Sequence, residues 1–352
     1  MVDINRRLRS AAIALTLVTL PLASACGQPV SSSSSDTGPL TLRVGYLPNI
    51  THAPAIAGLN KGFIAASLDK DVTLEPHTFN AGPDEVTALL SGSIDVAFMG
   101  PNPATNAFVR SNGRAVRIVA GTTSGGALLV VKPSITSTDG LRGKTIADPQ
   151  LGGTQDVALR WFLYQHNLHA DTAGGGDVSV VPQDNSTTLT SFRQGQIDGA
   201  WVPEPWASRL VVEGGGHVLV DERDLWPQGR FVTTTLVVST TFLNAHPTRL
   251  KALLEGVYSS VSYLNANPAD AQSSVNSALA EITSKKLSSQ VMAEAWGHMT
   301  FTLDPLASTL QTSAEHAHAL ALLPNVNLNG LYNLAPLNEV LEAHGQPAVQ
   351  GL

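Results

Sequence analysis

The chain has 352 residues, of which 43% are hydrophobic and 14% are charged, and its formal net charge is −7. This composition excludes a disordered or fibrous protein and allows one large or two ordinary domains. The acidic balance argues against a nucleic-acid partner and against electrostatic docking on a membrane. It does not exclude a small anionic ligand, because backbone N–H groups bind anions whatever the total charge.

Residues 1–25 have the pattern of an export signal. A basic start with three arginines precedes an apolar run, residues 11–22, that is too short to span a bilayer. Small residues then lead to Cys26, the only cysteine of the chain, in an arrangement that resembles a bacterial lipoprotein signal. We therefore expect a lipid anchor on Cys26, a flexible serine-rich tether over residues 26–39, and a position outside the cell membrane. The alternative is an ordinary secretory peptide with an incidental cysteine.

From residue 40 onward, short apolar runs alternate with helical patterns. Nine runs predict strands, at residues 41–46, 72–79, 116–120, 127–131, 144–147, 178–181, 197–202, 217–220 and 231–239. Five segments between them predict helices, at residues 53–68, 83–90, 156–166, 186–194 and 207–212. Residues 248–318 are almost wholly helical in pattern, and a short helix is expected at 337–344 in a loop-rich tail.

Two stretches of the chain are similar to each other. Each has a helical segment, a short apolar strand and a Pro-x-Pro turn, and five residues match at a constant offset: Gly92, Ile94, Asp95, Ala97 and Phe98 with Gly195, Ile197, Asp198, Ala200 and Trp201. Chance similarity between short α/β units is the alternative to a true repeat. A true repeat predicts two lobes, each with a binding edge.

The alternation of strands and helices indicates parallel α/β sheets. We expect two Rossmann-like lobes joined by a two-strand hinge. The first lobe comprises residues 40–131 and 235–352, with the C-terminal helices, and the second comprises the inserted residues 132–234. Ligands of such sheets bind outside the carboxyl ends of the strands, so the cleft between the lobes is the predicted site.

Several motifs resemble the solute-binding lipoproteins of bacterial ABC importers, in the nitrate, sulfonate and taurine branch. They are residues 44–54 with Gly58, Lys61, Gly62 and Phe63, then residues 90–95, 100–103, 141–144 and 201–205. The resemblance covers roughly residues 40–320 and implies the periplasmic-binding-protein type II fold. Within this branch, the chain is most similar to aliphatic-sulfonate-binding proteins.

The resemblance also implies which residues contact the ligand. They would come from the first turn, the next two edges, a helix N-terminus across the cleft and the second Pro-x-Pro turn: Asn49, Thr51, His52, Gly100, Asn102, Thr122, Thr123, Ser124, Gly153, Thr154, Gln155, Trp201 and Glu204. Several of them also have an ordinary structural interpretation. Asn49, Thr51 and Thr154 are typical helix caps, Glu204 suits a helix start, and Trp201 suits a core.

The chemistry of these residue types suits a sulfonate. A sulfonate remains ionised at any relevant pH, so it needs hydrogen-bond donors rather than a proton acceptor. Helix N-termini and Thr or Ser hydroxyl groups supply such donors. Sulfonate sites also favour arginine, and no arginine falls in these loops, which leaves nitrate, taurine, an aromatic carboxylate or sulfonate, and a thiamine-precursor pyrimidine as alternatives.

Catalytic and metal motifs are missing from the sequence. There is no G-x-S-x-G, H-E-x-x-H or G-x-G-x-x-G, and the spacing of the ten histidines matches no zinc site. The family fold also occurs in thiamine-pyrimidine synthases with a cysteine-rich iron site, which a single cysteine cannot reproduce.

We therefore expect a binding protein and not an enzyme, without metal or cofactor. Its expected partners are a small anionic solute and an ABC permease with its ATPase, and we expect it to be a monomer that touches the membrane only through the anchor. A sensing surface lipoprotein is the alternative of another class.

Overall fold

The computed structural model describes residues 36–324 and 326–352. The predicted signal peptide, Cys26 and most of the tether lie outside these residues. Within the described part, the strands form two mixed sheets with helices on both faces. None of the helices in this part is both long enough and apolar enough to cross a membrane.

The first sheet has six strands in the order β11-β4-β10-β3-β1-β2. Their bounds are β1 Leu40–Tyr46, β2 Val72–Thr78, β3 Val96–Met99, β4 Val116–Gly125, β10 Val232–Ser239 and β11 Met299–Phe301. Strand β1 is parallel to β2 and β3, whereas β10 runs antiparallel to β3 and β4.

The second sheet has five strands in the order β7-β6-β8-β5-β9. Their bounds are β5 Ala127–Val131, β6 Thr145–Asp148, β7 Ser179–Pro182, β8 Gly199–Pro203 and β9 His217–Asp221. Strand β6 is parallel to β7 and β8, whereas β5 is antiparallel to β8 and β9. Both sheets are thus mixed, which corrects the expectation of parallel sheets. The exceptions are β10 in the first sheet and β5 in the second, which run antiparallel to their neighbours because they lie where the chain passes from one sheet to the other.

Thirteen α-helices lie in the described part of the chain. They are α1 Ala53–Asn60, α2 Phe63–Ser67, α3 Gly82–Leu90, α4 Pro101–Arg110, α5 Thr154–Gln165, α6 Asn185–Arg193, α7 Trp206–Val212, α8 Thr240–Ala245, α9 Pro247–Ala266, α10 Pro268–Thr283, α11 Ser289–Gly297, α12 Ala307–Ala319 and α13 Ala335–Ala343. Four of the five helices predicted before residue 240 match single helices of the structure.

The core of each sheet lies on both of its faces. In β3, Val96 and Phe98 pack with α1, α9 and the other C-terminal helices, while Ala97 and Met99 pack with α3, α4 and α12. In β5, Leu129 and Val131 face α5, whereas Leu128 and Val130 face α6 and α7. This alternation follows from the two-residue period of a strand.

The chain crosses between the sheets at Gly125 and Gly126, which have φ values of +80° and +81°. A Cβ atom at Gly126 would lie 2.5 Å from Met299 Cγ, so the crossing needs glycine there for both conformation and space. Strand β5 therefore belongs to the second sheet, although the predicted boundary after Val131 assigned it to the first lobe. The whole of β10 belongs to the first sheet, so the return precedes Val232 and not Thr235.

Three predicted elements differ from the structure. The helix expected over residues 53–68 is two helices, because Gly62 adopts a φ of +75° between α1 and α2. The loop expected at Thr122 to Ser124 is the end of β4, which pairs with β10 through Thr123 and Thr234. Strand β11 lies in a region expected to be helical, where it pairs with the free edge of β4.

Candidate functional site

The carboxyl ends of β1, β2, β3, β6, β7 and β8 meet at one cavity between the two sheets, which we call the central cavity. Seven of the thirteen predicted site residues line it: Asn49, Thr51, His52, Gly100, Gly153, Thr154 and Gln155. Four further polar residues line it as well: Asn80, Gln150, Asn185 and Thr233. The cavity has a volume of about 30 Å³, which is room for about two water molecules.

Asn49 and His52 follow β1 and present hydrogen-bond donors at the cavity. The Nε1–H of Trp206 donates to Asn49 Oδ1 over 2.9 Å, which leaves the amide NH₂ of Asn49 as a donor. The backbone N–H of Leu47 donates to His52 Nδ1 over 3.2 Å, which places the ring proton on Nε2. Burial lowers the pKa of His52 to about 3, so the ring is a neutral donor at physiological pH.

The N-terminus of helix α5 lies on the opposite wall. Gly153 is its N-cap, and no side chain of the described residues caps it. The first N–H groups of a helix have no partner within the helix, and the helix dipole makes this end positive. Thr154 and Gln155 are buried at this end. The α5 N-terminus is therefore suited to bind an acceptor, and above all an anion.

The two walls approach closely at Gly100 and Thr154. Gly100 is the N-cap of α4 in the first sheet, and Thr154 begins α5 in the second. A Cβ atom at Gly100 would lie 2.2 Å from Thr154 Oγ1. Only glycine at position 100 lets the two sheets approach to this distance.

The predicted residues of β4 support the site from behind. The hydroxyl groups of Thr123 and Thr234 both donate to the backbone carbonyl of Thr51, over 2.7 Å and 3.0 Å. Thr122 donates to the carbonyl of Thr234, and Ser124 Oγ accepts from the N–H of Phe231. These bonds fix the turn that carries Thr51, but Thr122, Thr123 and Ser124 do not line the central cavity.

The remaining three predicted residues also lie outside the lining. Asn102 is buried and bonds to Ser313 through its amide and its carbonyl oxygen. Trp201 is fully buried, and its indole N–H donates to Glu222 over 2.8 Å.

Glu204 is fully buried too. Its carboxylate accepts hydrogen bonds from the N–H and the hydroxyl of Ser208, at 3.0 Å and 2.8 Å. His298, which follows α11, contacts the same carboxylate over 2.6 Å. Glu204 thus joins the second sheet to the helical layer of the first.

The described side chains that line the central cavity carry no formal charge at physiological pH. Among the described residues, no lysine or arginine lines it. Asn185 Oδ1 and Gln150 Oε1 are buried at its wall and have no hydrogen-bond partner in the described structure. These unpaired acceptor oxygens indicate a place for a hydrogen-bond donor of a polar ligand, because unsatisfied buried polar groups cost free energy.

Thr233 lies near the start of the antiparallel strand β10, but the other three polar lining residues that were not predicted from the sequence follow the rule that found the predicted ones. Asn80 follows β2 as Asn49 follows β1, and Asn185 begins the helix after β7 as Thr154 begins the helix after β6. Applying the strand-end rule to every parallel strand would have identified them. The described residues contain no group of His, Cys, Asp or Glu that could hold a metal ion.

Comparison with known proteins gives a family and relatives. The model of the NMT1-like family matches residues 35–279. A putative binding protein of Brucella abortus (strain 2308) is 26% identical over 232 residues, which cover 65% of this chain and 68% of that protein. The taurine-binding periplasmic protein of Escherichia coli K12 is 27% identical over 57% of this chain and 60% of that protein. A bicarbonate-binding protein CmpA of Synechococcus is 26% identical over 65% of this chain and 55% of that protein.

Solved structures share the fold. The alkanesulfonate-binding protein SsuA of Xanthomonas axonopodis pv. citri, bound to MOPS, superposes with a TM-score of 0.70 at 20% identity and covers 85% of this chain and 100% of that one. The nitrate-binding protein NrtA of Synechocystis PCC 6803 superposes with a TM-score of 0.72 at 16% identity, and the match covers 86% of this chain and 88% of that one. The desulfurization enzyme DszB superposes with a TM-score of 0.64 at 17% identity, and the match covers 86% of this chain and 99% of that one. The two-lobed α/β architecture predicted from the sequence is confirmed.

Proposed function

Since the chain belongs to the NMT1-like family, we propose that it is the solute-binding component of an ABC importer and that it captures a small anion in the central cavity. The observation that carries this proposal is the set of donors there. The uncapped N-terminus of α5 faces the neutral side chains of Asn49 and His52 across the cavity. Relatives whose names specify taurine or bicarbonate, and structural neighbours named for sulfonate and nitrate, support it.

An aliphatic sulfonate is our first candidate for the solute. Its head group is ionised at all relevant pH values and offers three acceptor oxygens. Neutral donors and a helix dipole can bind such a group without a full positive charge, each charge-assisted hydrogen bond contributing roughly 1.5–3 kcal/mol. The apolar residues Leu47, Pro103, Pro149 and Pro203 also line the cavity and offer contacts to an alkyl tail.

A small inorganic oxyanion is the second candidate, and the size of the cavity favours it. A volume of about 30 Å³ accommodates a planar nitrate or bicarbonate more readily than a sulfonate with its tail. A sulfonate would need the sheets to stand further apart at Gly100 and Thr154. The width of the closed cleft is thus what separates the two candidates.

Closure of the two sheets over the solute is the proposed signal to the permease. Hydrogen bonds already cross the cleft: the N–H of Ile50 donates to the carbonyl of Glu204 over 3.1 Å, and Trp206 donates to Asn49. A bound anion would add contacts to both walls and favour the closed arrangement.

The proposal includes a position outside the cytoplasm, a lipid anchor on Cys26 and a monomeric state. It also includes binding without turnover, although the desulfurization enzyme DszB shares the fold. Mass spectrometry of the membrane fraction would test the anchor, and product analysis after long incubation with each bound compound would test for turnover.

The deciding experiment is a binding screen on the purified chain from residue 36 onward. Thermal unfolding and calorimetry would be measured with ethanesulfonate, taurine, nitrate, bicarbonate, benzoate, a thiamine-precursor pyrimidine and, as a neutral control, ethanol. At a hundredfold excess over its dissociation constant, a ligand should stabilise the protein by about 2.7 kcal/mol. If none of the anions stabilised the protein, the proposal would be rejected; stabilisation by the pyrimidine alone would reject the anion.

A further inference from the structure

A second cavity, of about 270 Å³, lies between α5, the turn Glu222–Leu225 and α12. We call it the aromatic cavity, because four of its lining residues are Trp161, Phe162, Trp226 and His316. None of these four described residues lines the central cavity. The aromatic cavity is therefore a separate place for a ligand, and it has no part in the proposed anion binding.

The rings of the aromatic cavity pack on one another. The rings of Trp161 and His316 are stacked with centroids 4.1 Å apart and planes inclined by 11°. The ring of Trp226 also lies near His316, with centroids 5.9 Å apart and planes inclined by 36°. The indole rings thus lie at different inclinations around one space, and each presents a π system with a negative face.

A buried carboxyl group completes the wall. Glu222 is 2% exposed and lines the aromatic cavity. Its two oxygens accept hydrogen bonds from the indole N–H groups of Trp201, at 2.8 Å, and Trp226, at 3.4 Å. Among the described residues it forms no ion pair with a lysine, arginine or histidine. Burial raises the pKa of Glu222 to about 7.

His316, Asp221 and Glu315 do not supply a compensating positive charge to this carboxyl. Burial lowers the pKa of His316, so its ring is neutral at physiological pH. Asp221 acts on Glu222 as a like charge, and Glu315 lies beside His316. A buried carboxyl without a cationic partner is costly, and a cation that entered the cavity would relieve that cost.

We infer that the aromatic cavity binds a small organic ammonium ion, held by the indole rings of Trp161 and Trp226 that line it and by the carboxylate of Glu222. Aromatic faces attract cations, and quaternary ammonium groups in particular are bound in this way. A cavity of about 270 Å³ suits a ligand of fewer than about ten heavy atoms. Because α5 belongs to the second sheet and α12 packs on the first, the ion would contact both lobes.

The test compares two probes of the same shape, choline and 3,3-dimethyl-1-butanol, in which a neutral carbon replaces the cationic nitrogen. Calorimetry and tryptophan fluorescence on the full chain should show choline binding at least about tenfold tighter than the alcohol. Equal affinity for the two probes, or no binding of choline at up to about 10 mM, would overturn the inference without the use of any variant.

Variants then locate the site. Glu222→Gln should weaken choline binding about tenfold, while the exposed Glu315→Gln, the same chemical change beside the cavity, should leave it unchanged. Trp226→Leu is the second variant, and it should also weaken choline binding. If choline instead bound in the central cavity, Thr154→Val would weaken it and Glu222→Gln would not, and the inference would be wrong.

Discussion

Trp206 and Asn49 join the two sheets through one hydrogen bond, in which the indole N–H of the second lobe donates to the side-chain oxygen of the first over 2.9 Å. The indole can only donate, so this bond determines how the amide of Asn49 is oriented. The orientation of Asn49, which lines the central cavity, therefore depends on Trp206, which does not line it.

We predict that Trp206→Phe weakens solute binding although it retains the ring. Without the indole donor, Asn49 can rotate and its NH₂ group loses its fixed direction. The loss of one hydrogen bond corresponds to about 1 kcal/mol, or roughly fivefold in the dissociation constant. Calorimetry with the solute found in the binding screen measures it. Trp296→Phe, in a helix of the first lobe and outside the lining of the central cavity, is the matched control, and an equal loss there would contradict the prediction.

His52 allows a test of neutral donation. Its pKa of about 3 is far below physiological pH, so the ring titrates in no part of the range from about pH 5 to 8. We therefore expect His52 to cause no change, within this pH range, in the affinity for the anion of a strong acid. His52→Leu should weaken binding by about tenfold or more, since a charge-assisted hydrogen bond contributes roughly 1.5–3 kcal/mol. His52→Gln, which retains an N–H donor, should lose less; equal losses would show that the residue contributes only packing.

The pair formed by His298 and Glu204 predicts that stability depends on pH. In contrast to His52, His298 has a raised pKa. The hydrogen bond from His298 to Glu204 raises the pKa of His298 above its usual value, against the effect of burial; Asp221 raises it further and Arg223 lowers it. The pair therefore stabilises the closed arrangement fully below about pH 6.5, the usual histidine value. That contribution is lost as the pH rises through the raised pKa.

The expected result is that both stability and solute affinity fall as the pH rises above neutrality, and that His298→Gln flattens this dependence. Thermal unfolding and calorimetry between about pH 5.5 and 8.5 measure it. His344→Gln is the control, because His344 contacts Glu255 over 2.8 Å within the helical layer of the first lobe alone. A wild-type profile that stayed flat, or one that His344→Gln changed equally, would contradict the role of the pair across the cleft.

How far the sequence predicts this molecule depends on the range of the interactions. Strand β1 and the donors of Asn49 and His52 were predictable, because a short apolar run and the turn after it are local features. The extension of β4 through Thr123 and the presence of β11 were not, since both depend on pairing with strands far away in the chain. Local patterns carry no record of such partners.

The predicted site residues also fall into two groups: those whose place a local sequence rule predicts, and those whose place depends on packing with distant parts of the chain. Thr154 lines the central cavity because it begins a helix after a parallel strand, which is a rule that the sequence can apply. Trp201 lies within β8 and Asn102 in the first turn of the helix after β3, but their side chains are buried in contacts with Glu222 and Ser313. Only the packing of a distant helix or turn decides which strand-end residue faces the cavity and which supports it.

The contact between Gly100 and Thr154 gives the most direct test of closure. A methyl group at position 100 would lie 2.2 Å from Thr154 Oγ1, far inside van der Waals contact, so Gly100→Ala should keep the two walls apart. We expect solute binding to fall by at least about tenfold. The stability of the solute-free protein should change little, because the sheets can separate without unfolding.

Removal of the obstructing hydroxyl should restore binding. In Gly100→Ala combined with Thr154→Ala, the new methyl group would face the Thr154 Cβ atom at 3.4 Å, a tolerable distance, and the double variant should bind more tightly than Gly100→Ala alone. Gly297→Ala, whose added Cβ meets nothing within 4 Å, is the matched control and should bind as wild type. Small-angle scattering with and without solute reports closure. If Gly100→Ala closed and bound normally, the approach of these two residues would not be what the bound state requires.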